Sequence, residues 1–244
     1  MNFSPGEKLI SKTEEIMAIN LVDQVDNAVN IEHVLVSVSD KAGLNAFIPE
    51  LVALNSRVTI YSTGGTYQAI KETLGEAASS RHLVQVSDYT GQPEMQGGLV
   101  KTLDFKIYLG LLSETYNLAH VRDLARLKAI KLDLVVVNLY PFVQTIAAPG
   151  ATAEQARANI DIGGPCMIRA AAKNFLRVAS VTDPADYARI LAELKQGGGA
   201  LTLKTRFELA QKAFAHTAAY DTAIAGYLAR REFNAVRDCY KIMN

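Results

Sequence analysis

The run DLVVVNLYPF at residues 133–142 constrains the fold most, because it is the most hydrophobic strand-like segment of the chain and Pro141 stops it. Continuous apolar, β-branched runs of this length predict strands that are buried on both faces. Four more runs of the same kind predict strands at 33–39, 58–63, 82–87 and 177–183. Helical segments at 41–55, 65–75 and 115–130 alternate with them. This alternation predicts an α/β fold with a mostly parallel sheet flanked by helices.

The remaining segments predict a less regular periphery. Thr152 and Gln155 form a capping box that starts a helix, and Asp183 caps a helix turn that begins with Pro184. Residues 88–100 are rich in turn formers, 106–113 predict a strand or an extended arm, and 201–231 are largely helical. The expected organisation is an N-terminal extension at 1–30, an α/β domain at 31–196, and a C-terminal helical segment at 197–244 packed on the same domain.

Two expectations concern the ends of that α/β domain. In the extension, Leu9, Ile16, Ile19 and Val22 have roughly helical spacing, which predicts one extra helix or a partly ordered leader. The glycine run at 197–199 predicts a flexible joint and is the clearest candidate boundary.

Composition excludes several functional classes. With 244 residues and 49% apolar residues, the chain can bury a sizeable core, while 25 basic and 25 acidic residues cancel. A nucleic-acid partner is not expected without a basic excess. No apolar run approaches the roughly 20 residues of a membrane helix. The two cysteines have no metal spacing, and the four histidines form neither a triad nor a zinc pattern. We expect a cytoplasmic protein without a metal or membrane contact.

The segment DIGGPCMIRAAAKN at 161–174 is the most informative functional motif. An acidic residue, two glycines and a run of helix formers predict a helix start with exposed backbone N–H groups. Such an end attracts an anion or a developing negative charge. If this helix runs unbroken to Lys173, its ends lie roughly 13 Å apart, so Lys173 would have to act through neighbours such as Tyr140.

Polar loops follow the predicted strands, at the sheet edge where ligands of α/β proteins bind. They are VSDK at 38–41, STGGT at 62–66, SDYTGQPE at 87–94 and NLYPF at 138–142. The glycine pair in STGGT lets backbone N–H groups approach a phosphate, although a plain turn explains it equally well. Asn138 lies within an apolar strand, which favours a polar site because a buried amide needs a partner. Together the loops predict a site for a phosphorylated polar small molecule.

These motifs, in this order, resemble the N-terminal inosine monophosphate (IMP) cyclohydrolase domain of the bifunctional purine-biosynthesis enzyme. The resemblance covers about 34 to 225, and its matching stretches are VSVSDKAGL, STGGT, VSDYTGQPEMQGGLVKTL, VVNLYPF, DIGGPCMIRAAAKN and FAHTAAYD. It implies a methylglyoxal-synthase-like fold. It also implies closure of the purine ring of 5-formamidoimidazole-4-carboxamide ribonucleotide (FAICAR) to give IMP and water, with no cofactor. A homodimer and a separate formyltransferase are the partners left open.

The resemblance also implies roles for individual residues. It implies a catalytic network of Lys101, Tyr140, Asp161 and Lys173. It implies that the developing oxyanion meets the N–H groups of Ile162, Gly163 and Gly164. It implies that the 5′-phosphate is held by Ser39, Lys41, Ser62, Thr63, Gly64, Gly65 and Thr66. It implies contacts to ribose or base from Thr102, Asn138 and the loop around Asp88.

One loop departs from the family pattern. Leu99 stands where the family has arginine, Asp104 and Phe105 replace a His-Pro pair, and Tyr108 replaces a later histidine. Leucine cannot replace the arginine's bidentate cation. Two alternatives therefore remain beside the cyclohydrolase: a purine-nucleotide-binding module with weakened catalysis, and a methylglyoxal-synthase-type lyase. The lyase would use Asp88 as its acid and would need a histidine, for which His82 is the nearest candidate.

Overall fold

The computed structural model describes residues 21–93 and 101–243. Its main element is a five-stranded parallel sheet in the order β4-β3-β2-β5-β6, and a two-stranded antiparallel pair, β1-β7, lies apart from it. The seven strands are β1 Ala28–Asn30, β2 His33–Val38, β3 Thr59–Ser62, β4 Leu83–Gln85, β5 Leu134–Asn138, β6 Ala179–Val181 and β7 Ala200–Thr202. The predicted α/β fold with a mostly parallel sheet is confirmed, and its five strands are the five predicted runs.

Helices cover both faces of this sheet. They are α1 Leu44–Leu54, α2 Gly64–His82, α3 Val86–Thr90, α4 Phe105–Leu112, α5 Leu118–Leu127, α6 Phe142–Ala147, α7 Ala153–Ala158, α8 Gly163–Lys173, α9 Tyr187–Gln196, α10 Leu203–Ala229 and α11 Phe233–Arg237, with a 3₁₀ turn at Pro184–Asp186. The predicted capping box of Thr152 and Gln155 starts α7. Asp183 caps the 3₁₀ turn through Ala185 N–H.

Alternate residues of each central strand enter two separate cores. Val34 and Val36 pack with α1, α2 and α9, whereas Leu35 packs on the opposite face with α4, α8 and α10. All three residues are fully buried. The near-continuous apolar runs in the sequence follow from this arrangement, since a parallel strand covered on both faces has no solvated side.

The segment 106–113 was wrongly predicted as a strand or extended arm, because it lies in α4. Asp104 caps this helix by accepting the N–H of Lys106 at 2.8 Å. Ile107 and Leu111, four residues apart, are fully buried on one face. The apolar run therefore follows helical spacing, which short segments do not distinguish from strand spacing.

Two other segments also differ from expectation. The helix predicted at 65–75 continues to His82 as α2, with a break at Gly75 (φ 71°, ψ 169°). The turn-rich segment that begins at residue 88 starts inside α3, and its residues 94–100 lie outside the described part.

The extra helix predicted within residues 1–30 is absent from the described part of that range, 21–30. This stretch instead ends in β1, which pairs with β7. Leu9, Ile16 and Ile19 lie outside the described residues.

Arg206, at 0% exposure, is the largest fully buried side chain. Its guanidinium donates to backbone carbonyls of Phe175 (3.0 Å), Leu176 (2.9 Å), Leu201 (2.6 Å), Asp26 (2.7 Å) and Asn27 (3.4 Å). These carbonyls lie at the end of α8, in β7 and just before β1. One planar, fully buried side chain therefore joins the segment before β1 to α10 and α8, and these carbonyls satisfy its own N–H donors.

No helix in residues 21–93 and 101–243 has both the length and the apolarity to cross a membrane. Within the same residues, no group of three or more His, Cys, Asp and Glu side chains is arranged to hold a metal ion.

We predict that Arg206→Met lowers the free energy of unfolding by about 3 kcal/mol, because the hydrogen bonds that join the segment before β1, β7 and the end of α8 through this buried guanidinium are lost. The matched control is Arg189→Met. Arg189 is partly exposed and pairs with Glu208 at 2.8 Å on the surface, so its loss should cost less than about 1 kcal/mol. Urea denaturation of both variants measures the difference, and equal losses would contradict this account of Arg206.

Candidate active site

A cavity of about 350 Å³ opens at the carboxyl edge of the parallel sheet. It lies beside the ends of β2 and β5, where the strand order reverses direction, which is the usual ligand position in open α/β sheets. Five chain segments that are distant in sequence supply its walls among the described residues. The predicted site residues among them are Ser39, Lys41, Thr63, Gly64, Gly65, Thr66, Lys101, Thr102, Asn138, Tyr140, Asp161, Ile162, Gly163 and Gly164.

The first turn of α2 forms one wall of the cavity. Thr63 precedes the helix in an extended conformation, and Gly64 has φ +48°, a region that favours glycine. A Cβ atom at Gly64 would lie 2.8 Å from Lys101 Nζ, so the ammonium group of Lys101 lies directly against this turn. A helix start with bare N–H groups beside a cation suits a phosphate.

Ser62 and Thr66 flank this turn, and their hydroxyls bond to β2. Ser62 is 0% exposed, donates to the carbonyl of Val36 at 2.8 Å and does not line the cavity. The structure therefore does not support the predicted contact between Ser62 and phosphate, because its hydroxyl is hydrogen-bonded to the neighbouring strand β2. Thr66 lines the cavity, but its Oγ1 donates to the carbonyl of Val38 and accepts the N–H of the same residue.

Asn138 holds the loop that follows β2. Its Oδ1 accepts the N–H groups of Ser39 (2.7 Å) and Asp40 (2.9 Å), and its Nδ2 donates to the Asp40 carbonyl (2.7 Å). The predicted need of this amide for polar partners is met by backbone. Asn138 lines the cavity as predicted, but its amide oxygen serves the loop, which leaves only one N–H of its Nδ2 for the predicted contact with ribose or base.

The start of α8 forms the opposite wall. Asp161 Oδ1 accepts the N–H of Gly164 at 2.9 Å, and Pro165 carries no N–H. The predicted use of the Gly164 N–H for an oxyanion therefore conflicts with the structure, because the Asp161 carboxylate already occupies it. Among the described residues, the N–H groups of Ile162 and Gly163 have no such partner.

Close packing joins this helix start to the segment that carries Lys101. A Cβ atom at Gly163 would lie 2.8 Å from Thr102 Oγ1, and one at Gly164 would lie 2.6 Å from Asp161 Oδ2. Lys101 therefore contacts the first turn of α2, and its neighbour Thr102 contacts the start of α8.

Burial raises the pKa of Asp161 above its ordinary value, and backbone N–H groups of Gly164 and Tyr140 partly oppose that increase. A carboxylate in this setting is a stronger base than an exposed aspartate. Asp161 is also fixed through its backbone, since its N–H donates to the hydroxyl of Tyr220 at 2.9 Å. Sequence reasoning assigned no role to Tyr220, although it lies in the FAHTAAYD stretch.

Tyr140 lies in the cavity, whereas Lys173 lies at the far end of α8, outside it. Tyr140 is 51% exposed and lines the cavity. Lys173 is exposed at the last position of α8 and does not line the cavity. The helix is unbroken over its 11 residues, so the two ends are about 15 Å apart at 1.5 Å per residue. The structure thus brings together three of the four predicted catalytic residues, and the part played by Lys173 stays a prediction.

The unusual loop residues are accounted for in part. Asp104 caps α4, Phe105 is 67% exposed, and burial raises the pKa of Tyr108, whose hydroxyl lies near Cys166. Leu99 lies outside the described residues. Asp88 lies in α3 and does not line the cavity, so the structure does not place it at the predicted ribose or base contact.

Two family models together match most of the chain. The model of the MGS-like domain matches residues 43–166, and that of the AICARFT/IMPCHase bienzyme matches residues 171–243. The bifunctional purine biosynthesis protein PurH of Neisseria gonorrhoeae is 50% identical over 198 residues, which are 81% of this chain and 36% of that protein. PurH of Acidithiobacillus ferrooxidans is 48% identical over 198 residues, with the same two coverages.

The chain thus spans 36% of the length of these curated relatives. Among solved structures, the crystal structure of ForH superposes with a TM-score of 0.65 and 32% identity, covering 80% of this chain and 97% of that one. The chain therefore belongs to the MGS-like domain family, and it corresponds to the IMP cyclohydrolase part of the AICARFT/IMPCHase bienzymes.

Proposed function

We propose that this protein is an IMP cyclohydrolase, a hydrolase of cyclic amidine C–N bonds that runs in the ring-closing direction. It closes the ring of FAICAR to give IMP and water. The observation that carries the proposal is the single cavity in which Lys101, Tyr140 and Asp161 meet the starts of α2 and α8. One helix start suits the 5′-phosphate, and the other suits the oxygen that gains charge during ring closure.

The phosphate end is assigned to the first turn of α2. The N–H groups of Gly64 and Gly65 begin that helix, and Ser39 and Lys41 line the cavity from the loop after β2. A phosphate held there is fixed relative to Asp161, because Lys101 and Thr102 connect the two helix starts. Binding energy from the phosphate then orients the distant reacting groups.

Ring closure joins two groups of one molecule. The carboxamide nitrogen attacks the formyl carbon, and Asp161 accepts a proton from that nitrogen. Negative charge develops on the formyl oxygen, where the N–H groups of Ile162 and Gly163 stabilise it. Lys101 and Tyr140 then protonate this oxygen, which leaves as water when its C–O bond breaks. The formamido nitrogen releases its proton and forms the C=N bond of the new ring. The two protons lost by the two nitrogens balance the two in water, and they return Lys101 and Tyr140 to their protonated forms. No electrons are transferred, so the chemistry needs no redox cofactor, and fixed proximity supplies much of the rate.

The substrate class and partners follow from this reaction. The substrate is a purine-nucleotide precursor whose formyl group a formyltransferase must supply, and the relatives are bifunctional bienzymes. We propose that such a formyltransferase acts before this protein, and a homodimer is the assembly to test. The two cysteines are free thiols, which fits a reducing cytoplasm.

The two alternatives differ in their support. A nucleotide-binding module without turnover is favoured by Leu99 and Asp104, which depart from the family pattern. A lyase of the methylglyoxal-synthase type has less support, because no histidine lines the cavity among the described residues. His82 instead bonds the carbonyl of Val58, just before β3, at the opposite edge of the sheet.

We predict that the purified protein converts FAICAR to IMP in a spectrophotometric assay, and that Lys101→Ala lowers kcat/KM at least about a hundredfold. The control is Lys106→Ala. Lys106 lies on the neighbouring helix α4 and bonds the carbonyl of Tyr89 outside the cavity, so turnover should persist. Absence of turnover in the wild type, with tight IMP binding by calorimetry, would favour the binding module instead.

A second prediction concerns pH. Asp161 must be ionised to accept a proton, and burial raises its pKa, so it protonates at a higher pH than an ordinary aspartate. The pKa that the acid limb of the kcat/KM profile reports should therefore lie above about 3.9, the pKa of an unperturbed aspartate. Asp161→Asn should abolish turnover at every pH. A wild-type acid limb at or below the ordinary value, in protein that circular dichroism shows to be folded, would exclude Asp161 as the base.

A further inference from the structure

Tyr220 lies on α10, is 9% exposed, and does not line the cavity. Its hydroxyl makes two hydrogen bonds to the segment that enters α8. It accepts the N–H of Asp161 at 2.9 Å and donates to the carbonyl of Asn159 at 3.2 Å. One buried hydroxyl thus ties down both ends of the short turn that presents the Asp161 carboxylate.

The ring of Tyr220 contacts a second segment of the site. It packs edge-on against Phe142, with ring centroids 6.1 Å apart and an interplanar angle of 66°. Phe142 is 1% exposed and follows Tyr140 by two residues. Tyr220 therefore supports, from behind, two of the three segments that carry the proposed proton-transfer groups.

We propose that Tyr220 is a positioning residue that holds Asp161 in its productive place for ring closure. This inference rests on the proposed function, because it assigns Asp161 as the base. Two kinds of contact fix Asp161: the backbone N–H groups of Gly164 and Tyr140 act on its carboxylate, and the Tyr220 hydroxyl accepts its own backbone N–H. Loss of the second lets the turn move, and catalysis by a positioned base is sensitive to displacements of about 1 Å.

Tyr227 provides a matched control on the same helix. It is 4% exposed, and its ring also packs edge-on against Phe142, at 5.7 Å and 87°. In the described part of the chain, its buried hydroxyl has no hydrogen-bond partner. Tyr220→Phe and Tyr227→Phe therefore remove the same atom from similar surroundings, but only the first removes a bond to Asp161.

The experiment compares kcat, KM, the thermal midpoint and the amide hydrogen exchange of Asp161, measured by NMR, in the wild type and both variants. For Tyr220→Phe we expect kcat to fall about tenfold, the effect of losing one hydrogen bond of ordinary strength, with KM little changed. The Asp161 amide should exchange faster. Tyr227→Phe should leave kcat and Asp161 exchange unchanged, even if its thermal midpoint moves.

Three results would overturn the inference: unchanged exchange at Asp161 in Tyr220→Phe, faster exchange with unchanged kcat, or equal losses of kcat in both variants. The last would mean general packing on Phe142. Failure of the proposed function is a separate result, seen as a wild type without turnover. In that case the hydrogen-exchange comparison still tests whether Tyr220 fixes Asp161. Faster exchange of the Asp161 amide in Tyr220→Phe, but not in Tyr227→Phe, supports that role.

Discussion

The parallel pairing of β2 with β5 is the constraint on which the rest of the structure depends. It sets Val38 opposite Asn138, so both strands end at the same level of one sheet edge. Because the chain builds the sheet outward from this pair in opposite directions, the loops after β2 and β5 diverge and leave a crevice. The Asn138 amide then fixes the loop after β2 by hydrogen-bonding the backbone of Ser39 and Asp40. The cavity is a consequence of topology before any catalytic residue is considered.

Helix α10 connects the stability of the molecule to the geometry of the site. At its first turns, Arg206 binds carbonyls from the end of α8 and from the segment before β1. Farther along, Tyr220 binds the turn at the beginning of α8. Both ends of α8 are therefore hydrogen-bonded to one long helix, α10. The start of α8, with Asp161 beside it, is fixed against the packed core in this way. A site built on supported elements of this kind keeps its reacting groups in register.

Much of this arrangement was predictable from the sequence, because apolar runs and turn residues report local structure directly. The five strands, the α7 capping box and the convergence of three of the four predicted loops, VSDK, STGGT and NLYPF, at one cavity all follow from such patterns. The direction in which a side chain points does not follow from such patterns. Ser62 and Gly164 lie in the predicted motifs, yet the hydroxyl of Ser62 serves β2 and the N–H of Gly164 serves Asp161. These roles depend on contacts between segments far apart in sequence, which spacing alone does not encode.

The same limit explains the other differences. The run at 106–113 is apolar enough for a strand, and only its packing against the rest of the core, together with the Asp104 cap, makes it α4. Tyr220 lies in a helical stretch with no local sign of chemistry, and its importance appears only when its hydroxyl is found on Asp161. The separation of Lys173 from the helix start follows from helix geometry, and the unbroken α8 realises it.

A crystal structure of the protein with IMP tests directly whether this cavity is a purine-nucleotide site oriented by two helix starts. We expect the phosphate against the N–H groups of Gly64 and Gly65, and the six-membered ring beside Asp161 and Gly163. A nucleotide bound outside the cavity, or bound with its base on the α2 turn and its phosphate at α8, would show that the two helix starts do not have these roles.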